Sequence, residues 1–481
     1  GRGDTMGTGV PVSSAAGILA RMERLTKWAL PRRLFLVIGL GYLFTFYDIF
    51  DVNVSFVQTA TSIIPGATPA DASRYIGLPV FANLLGYVVG TLVLSPLADR
   101  VGRRRMLMTT MFITGIGSLL TALAMHDWWF ILARGITGVG VAADLAVVNT
   151  YMSEVAPRTR RAKYTSGLFI FSGVGALIGI WLGLWLTTPS APFPEGLPFA
   201  LATPSFHWGW RLMYYIGAVL ALIAILLRLE LPESPRWLAA KGRVEEAAAV
   251  VAAMEERLGL GAFQPDGTAA SFSLVSDRRA PYGELFGSPV YRKRVFLLFF
   301  VWLFSYVTVY GFSAGMTTLL VGAGYAPSEA GLIVAVGVFG MLLAGVVAYL
   351  AGEVMERKTY LVVSAVLTIL GGLVVGLAGH HLWLSYLGAI LLFFGQNVWV
   401  PVFYAWTAEN FPSRARTSGF ALVDGAGHIG AGVGLWAIAP FIPSLGVTAG
   451  FVAMSGFLLV AAFIALGGIA SRGKILEEIS P

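Results

Sequence analysis

Apolar stretches of about 20 residues recur along the whole 481-residue sequence, and this repetition restricts the possible folds more than any other feature. Each stretch is long enough to cross the hydrocarbon core of a bilayer as an α-helix. Hydrophobic residues make up 57% of the chain and charged residues only 12%, about half the charged fraction of an ordinary soluble domain. We therefore predict an all-α, multi-pass protein of the cell membrane, surrounded by lipid, with twelve transmembrane helices.

Basic residues are concentrated in alternate loops of this predicted order. The loops after the second, fourth, eighth and tenth spans contain clusters of arginine and lysine at 100–105, 158–163, 357–358 and 414–416. Loops rich in arginine and lysine stay on the cytoplasmic side of a membrane. We therefore predict that both termini are cytoplasmic. The net charge of +7 then belongs to these loops and does not indicate a nucleic-acid partner.

The longest polar segment divides the predicted spans into two sets of six. It contains one short amphipathic helix with charged faces, which predicts a helix lying on a surface. The predicted division of the chain is a cytoplasmic tail and surface helix at 1–32, a six-helix bundle at 33–229, a cytoplasmic linker with short helices at 230–292, a second six-helix bundle at 293–470 and a cytoplasmic tail at 471–481.

Two charged patterns occur once in each half of the chain. One is an acid followed seven residues later by an arginine, at the ends of the fourth and tenth spans. The other is an acid followed by two adjacent basic residues, after the second and eighth spans. The two patterns recur at nearly the same separation, which predicts duplicated, pseudo-symmetric halves with a substrate site between them, as in many transporters. Their residues are Asp99, Arg103, Arg104, Glu154, Arg161, Glu353, Arg357, Lys358, Glu409 and Arg416.

Several motifs resemble those of the major facilitator superfamily. LADRVGRRR (97–105) is similar to its loop motif and RGITGVG (134–140) to its fourth-span motif, and ENFPSRARTSG (409–419) resembles the signature of its second half. PESPRWL (232–238) resembles the sugar porters and the related organic-ion transporters. YDIF (47–50) is similar to the phosphate:proton symporters. The resemblance covers nearly the whole chain and implies the major facilitator fold and transport by alternating access.

The residues of the known substrate pockets differ from these branches. The phosphate symporters have a tyrosine where this chain has Leu145 and a glutamine where it has Ser172. In the seventh span, Trp302 and Tyr310 match that branch, but Tyr306 replaces its aspartate. The paired glutamines of the sugar porters are also missing. These differences disfavour phosphate and sugars as substrates.

Four ionisable residues in apolar spans are the predicted proton-coupling residues. Counted inward at 1.5 Å per residue, Asp51 and Arg134 lie about 10 Å and about 9 Å from the same face, and Asp48 lies about 15 Å deep. The resemblance implies that a first-span aspartate takes up the proton and a fourth-span arginine releases it; it favours Asp48, whereas the depth match favours Asp51. Asp144, about 80° around the helix from Arg134, is a second candidate proton site or a site for a cationic group. The alternatives are a fixed ion pair and a capped polar residue.

The predicted substrate cavity draws on four spans. Trp302, Tyr306 and Tyr310 repeat every four residues of the seventh span, and Asp424 and His428 are four apart in the eleventh, so each set shares one helix face. The alternative explanations are helix packing for the aromatic stripe and hydrogen bonding between helices for Asp424 and His428. The remaining predicted cavity residues are Ser172, Gln396, Asn397 and Trp399.

The duplicated charge patterns are predicted to act as cytoplasmic latches. In the superfamily that the chain resembles, such charges bridge helix ends and stabilise the outward-facing state. The simpler alternative is a basic loop that only sets orientation.

Together these features predict a secondary transporter that couples protons to the uptake of a small polar organic solute or anion. Alternatives are a proton-coupled sugar or phosphate symporter, an organic-cation or drug carrier working as antiporter or uniporter, and a transporter-like membrane sensor. We expect no enzyme activity, because the five histidines are scattered and no catalytic or metal-ligand cluster appears. We expect no cofactor besides the coupling proton, no metal, a small-molecule substrate and a functional monomer.

Overall fold

The computed structural model describes residues 14–157, 161–263, 281–352, 354–379, 381–412, 415, 419–472, 474 and 479–481. Within these residues, twelve helices are long and apolar enough to cross a membrane, which is the predicted number. In order, they span Arg32–Ile63, Pro69–Leu94, Arg103–Ala122, Asp127–Met152, Gly167–Thr187, Gly209–Arg228, Pro289–Gly322, Pro327–Ala351, Arg357–Ala378, Leu382–Glu409, Ala421–Leu445 and Val447–Ala465.

The spans pack into two bundles of six. In the first bundle, span 1 contacts spans 5 and 6, and span 4 contacts spans 2 and 3; in the second, span 7 contacts spans 11 and 12, and span 10 contacts spans 8 and 9. The bundles meet where span 1 contacts span 7, span 2 contacts span 11 and span 5 contacts span 8. If each span of one bundle is exchanged for the span at the same position in the other bundle, the same three interface contacts result. The interface therefore has pseudo-two-fold symmetry. The end of the bundles that holds Arg103 and Arg357 is called the basic end below.

Helix irregularities coincide at the interface between spans 2 and 11. Each span contains a π-helical turn, at Gly90–Leu94 and at Ala421–Gly425. The two turns touch: a Cβ on Gly425 would lie 2.9 Å from Cγ2 of Thr91. Turns of this kind re-aim side chains and are frequent at functional sites. The turn in span 11 includes Asp424, one of the predicted cavity residues.

Besides the helix Ser95–Val101, which directly follows span 2, the described residues form four short helices outside the spans: α1 (Ala15–Glu23), α2 (Pro235–Ala240), α3 (Val244–Arg257) and α4 (Pro281–Gly287). Helix α1 packs on α2 and α3.

Charged side chains hold α1 against the linker helices. Arg21 and Arg24 both form ion pairs with Glu255 of α3, and Arg236 donates to Glu23 at 3.0 Å. The apolar face predicted to lie on a surface therefore packs against other helices of the same chain.

Candidate functional site

Span 1 and span 4 are joined by a buried ion pair. Nη1 of Arg134 lies 3.3 Å from Oδ1 of Asp51, and the two side chains are 2% and 0% exposed. Nη2 of Arg134 donates to the backbone carbonyl of Asp48 at 3.1 Å, and the guanidinium lies over the Tyr214 ring at 5.5 Å. Oδ2 of Asp51 has no hydrogen-bond partner among the described residues. This carboxylate is therefore paired through only one of its two oxygens.

The side chain of Asp48 contacts spans 3 and 6 and forms no ion pair with Arg134 among the described residues. Oδ1 of Asp48 accepts a hydrogen bond from Ser118 Oγ of span 3 at 3.3 Å. A Cβ on Gly217 of span 6 would lie 2.8 Å from the same oxygen, so Asp48 faces spans 3 and 6. Of the two candidate aspartates, Asp51 therefore has the guanidinium partner.

Asp144 belongs to a separate buried network. Arg228 of span 6 donates from Nη1 to Oδ1 of Asp144 at 2.5 Å and from Nη2 to Oδ2 at 3.2 Å. The hydroxyls of Thr45 and Thr110 lie 3.0 and 2.9 Å from the same two oxygens. Each oxygen of Asp144 thus has one guanidinium nitrogen and one threonine hydroxyl within hydrogen-bond distance. Sequence analysis missed Arg228, although an arginine in an apolar run is the signal that identified Arg134.

The predicted residues of spans 7 and 11 come together at the bundle interface. The hydroxyl of Tyr306 donates to Oδ1 of Asp424. The His428 ring lies between Tyr306 and Tyr87, with ring centroids 3.9 Å from each. Nδ1 of His428 is 2.6 Å from the backbone carbonyl of Asp424, and because a carbonyl only accepts, Nδ1 is the donor. Tyr87 belongs to span 2, so the first bundle completes this site; sequence analysis did not identify it.

The aromatic stripe of span 7 continues this stack. Trp302 stacks on Tyr306 with centroids 5.2 Å apart and on Tyr404 of span 10 with centroids 5.4 Å apart. Its indole N–H donates to Thr407 at 3.0 Å, and Trp399 packs against it at 5.1 Å. Tyr310 contacts Tyr306 and His428 at 5.5 and 5.4 Å. We name Tyr87, Trp302, Tyr306, Tyr310, Asp424 and His428 the aromatic site.

The other predicted cavity residues lie apart from this stack or bond within their own helices. Gln396 donates to Ser313 of span 7 at 3.2 Å, while its Oε1 has no partner among the described residues. Asn397 donates to the carbonyl of Phe393 in its own helix, and Ser172 donates to the carbonyl of Phe169. Their roles in the cavity stay predictions.

Matching ion pairs occupy the basic end of both bundles. Nη2 of Arg103 lies 2.8 Å from Glu154, and Nη2 of Arg357 lies 3.0 Å from Glu409. Their neighbours make matching backbone contacts: Arg104 donates to the carbonyl of Leu231 and Lys358 to that of Gly468, both at 2.9 Å. The side chains of Asp99 and Arg161, and residues Glu353 and Arg416, lie outside what the structure describes.

Two further carboxylates hold backbone N–H groups at this end. Glu233 of the PESPRWL segment accepts from the N–H of Arg103 at 3.1 Å, at the start of span 3. Glu356 accepts from the N–H groups of Arg357, Ser471 and Arg472. Burial raises the pKa of Glu356, but these three donors outweigh it and hold the pKa below its usual value. Glu356 therefore binds the chain after span 12 to the start of span 9.

We expect Arg103→Ala and Glu154→Ala to slow transport without unfolding the protein. We predict that this ion pair acts as a latch that stabilises one of the alternating states, so losing it should change the populations of those states more than the fold. Uptake rate and thermal stability of each variant test this. Arg105→Ala, at an exposed neighbouring position, is the control. Uptake equal to that of the control in both variants would exclude a latch.

Twelve apolar spans in two bundles, with ionisable and aromatic side chains buried within and between them, define a membrane transporter of the major facilitator fold. The family model described as "Sugar (and other) transporter" matches residues 34–481, and the chain belongs to this family. The predictions of a multi-pass membrane transporter, and not an enzyme, are thereby confirmed. Among the described residues, no group of three or more histidine or acidic side chains could hold a metal ion.

The chain is similar to transporters of several small molecules. It is 26% identical to the niacin transporter NiaP of Acinetobacter baylyi over 96% of this chain and 99% of NiaP. It is 27% identical to the 4-hydroxybenzoate transporter PcaK of Pseudomonas putida over 91% of this chain and 92% of PcaK. A partially occluded, inward-open structure of the xylose transporter XylE from E. coli matches with a TM-score of 0.71. That match covers 92% of this chain and 98% of XylE at 19% identity, which shows a shared fold.

These comparisons confirm the predicted fold class with its two six-helix bundles. The orientation of the termini, the exact domain boundaries and the monomeric state stay predictions.

Proposed function

We propose that the protein is a proton-coupled symporter for small organic acids that contain a planar aromatic ring. The observation behind this proposal is the pair of Asp51 and Arg134, buried between spans and satisfied through only one carboxylate oxygen. A charge left alone in hydrocarbon costs at least about 2.5–3.5 kcal/mol. When a movement of span 1 relative to span 4 separates the pair, proton binding to the Asp51 carboxylate avoids this cost for Asp51. Alternation between the two states would then bind and release a proton.

The membrane potential also favours symport of an acid anion with one proton over entry of the anion alone. Moving one unit charge across a membrane potential of 100 mV changes the free energy by about 2.3 kcal/mol. An organic anion accompanied by a proton carries no net charge, so the membrane potential does not oppose its entry. The pair of Asp51 and Arg134, one carboxylate with one guanidinium, adds no net charge of its own to the bundle interior.

The aromatic site supports a planar ring as the transported group. The rings of Tyr87, His428 and Tyr306 are held at stacking distance across the bundle interface. The hydroxyls of Tyr87 and Tyr310 are further groups of this site that can donate to a carboxylate. A ring with one carboxylate matches this combination of flat apolar walls and few polar groups. NiaP and PcaK are named for niacin and 4-hydroxybenzoate, which are both aromatic carboxylates.

A sugar is the second candidate substrate. The fold is shared with XylE, described as a proton:xylose symporter. A sugar requires a hydrogen-bonding partner for each hydroxyl, and Gln396 is the predicted cavity residue with an unpaired oxygen.

A matched pair of ligands separates these candidates. Benzoate and cyclohexanecarboxylate have the same number of carbons and the same charge, but only benzoate is flat and aromatic. We expect benzoate to raise the thermal stability of the purified protein more than cyclohexanecarboxylate or xylose does, since ligands stabilise the state they bind. Uptake of labelled benzoate into proteoliposomes should follow an imposed pH gradient. Stabilisation by xylose alone would contradict the proposal, and benzoate binding without any flux would favour a sensor.

Removing an aromatic wall should weaken substrate binding. We expect Tyr306→Ala and Tyr310→Ala to raise the apparent KM by roughly 2- to 10-fold, because an aromatic pair contributes about 0.5–1.5 kcal/mol beyond its buried area. Phe300→Ala, on the exposed side of the same span, is the control. Unchanged uptake kinetics in both tyrosine variants would indicate that the stripe only packs the helices together.

A further inference from the structure

Asn53 of span 1 bridges the two bundles with its whole carboxamide. The side chain is fully buried, and its Nδ2 donates to the backbone carbonyls of Phe312 at 3.0 Å and Ser313 at 2.5 Å. Its Oδ1 accepts from the Thr317 hydroxyl at 2.7 Å. All three contacts are in span 7. A helical carbonyl retains a second lone pair after its own backbone bond, so this bridge leaves the helix of span 7 intact.

The position of Asn53 relates it directly to Asp51. Two residues along a helix correspond to about 200° of rotation and about 3 Å of rise, so the two side chains point to nearly opposite sides of span 1. Asp51 faces Arg134 in its own bundle, whereas Asn53 faces span 7 in the other. A rotation or tilt of span 1 that separates Asp51 from Arg134 also moves Asn53 relative to span 7.

On the far side of the bridge, span 7 leads to the aromatic site. Ser313 lies three residues, less than one helical turn, beyond Tyr310, whose ring contacts His428 at 5.4 Å. The Ser313 hydroxyl accepts from Gln396, so span 10 is tied to the same point. Asn53 therefore stands between the ion pair of the first bundle and the aromatic site of the second.

Beyond the bridge, towards the end opposite the basic end, glycines allow close contacts between the two bundles. A Cβ on Gly322 of span 7 would lie 2.7 Å from Oγ of Ser73, and a Cβ on Gly77 would lie 2.4 Å from Cα of Trp436. These contacts depend only on close fit between the helices. The hydrogen bonds of Asn53 to span 7 are directional and are therefore lost over small displacements.

We propose that Asn53 is a positioning residue of the transport cycle: its bridge to span 7 holds the end opposite the basic end closed, and it links that closure to the Asp51–Arg134 pair. This proposal does not depend on the transported solute or on proton coupling. It requires only that the closed end opens during alternating access.

A single introduced cysteine measures this closure, because the chain contains no native cysteine. Ser73→Cys places the reporter at the buried contact with Gly322. The measured quantity is the rate at which a water-soluble maleimide labels the purified full-length protein. Thr59→Val is the matched control, because Thr59 is a buried residue of the same span whose hydroxyl, among the described residues, donates only to the Ser55 carbonyl of its own helix.

In the Ser73→Cys background, we expect Asn53→Ala to raise the labelling rate about tenfold, which corresponds to about 1.4 kcal/mol. Thr59→Val should leave the rate unchanged. Thr317→Val, which removes one of the three hydrogen bonds, should give a smaller increase and serves if Asn53→Ala does not fold. Circular dichroism before labelling separates opening from unfolding. Equal rates in the control and in both bridge variants would overturn the proposal.

The link to the ion pair is tested with Asp51→Asn. If Asn53 transmits the state of the pair, Asp51→Asn raises the labelling rate in the presence of Asn53 and adds little to Asn53→Ala, since coupled residues show non-additive effects. If the two substitutions multiply each other's effect, the residues act independently and the link is wrong.

Discussion

Asp51→Asn is expected to abolish the accumulation of substrate driven by a pH gradient, while exchange of labelled for unlabelled substrate continues. Asparagine has nearly the same shape as aspartate but binds no proton, so the carrier can still alternate with substrate bound. A difference of one pH unit stores about 1.4 kcal/mol per proton, enough for about a tenfold accumulation. We therefore expect proteoliposomes with Asp51→Asn to lose this tenfold accumulation of substrate.

Asp48→Asn provides the comparison for this experiment. It removes a carboxylate that contacts Ser118 and not Arg134, so we expect a smaller loss of accumulation. Complete loss in Asp48→Asn alone would make Asp48 the proton site, as the YDIF resemblance favours. Full accumulation in both single variants and in the double variant would exclude both residues.

The general fold was predictable because each span must by itself be long and apolar enough to cross the bilayer. Apolar length gave the twelve spans, and the matching charge patterns gave the equivalent positions of Arg103 and Arg357. The contact between Asp51 and Arg134 was predictable from depth, since charges in lipid pair with others at the same level.

Contacts that depend on how the helices are arranged were not predictable from one sequence. The depth of a residue does not show on which side of the helix its side chain lies. It therefore did not decide whether Asp48 or Asp51 pairs with Arg134. Tyr87 and Asn53 have their partners in the opposite bundle. Arg228 could have been flagged as a charge in an apolar run, but its partner Asp144 follows only from the packing of span 6 on span 1 and span 3. Long-range partners of this kind require the tertiary structure.

Asp144→Asn is expected to lower the stability of the protein by about 3–5 kcal/mol. The substitution leaves the guanidinium of Arg228, which is 1% exposed, without a counter-charge in the bundle interior. Arg228→Met should have a similar effect, because it leaves the Asp144 carboxylate unpaired. The free energy of unfolding in detergent micelles measures both variants. Arg243→Met, which breaks an exposed ion pair in the linker, is the control and should have little effect.

The double variant Asp144→Leu/Arg228→Met decides between a structural role and a proton site for Asp144. A buried ion pair replaced by apolar side chains of similar size often retains its stability. The hydroxyls of Thr45 and Thr110 keep acceptors in their own helices, the carbonyls of Gly41 at 3.0 Å and Met106 at 2.8 Å. We therefore expect the double variant to recover most of the lost stability and to accumulate substrate under a pH gradient. A stable double variant that exchanges substrate but no longer accumulates it would show that Asp144 binds the coupling proton.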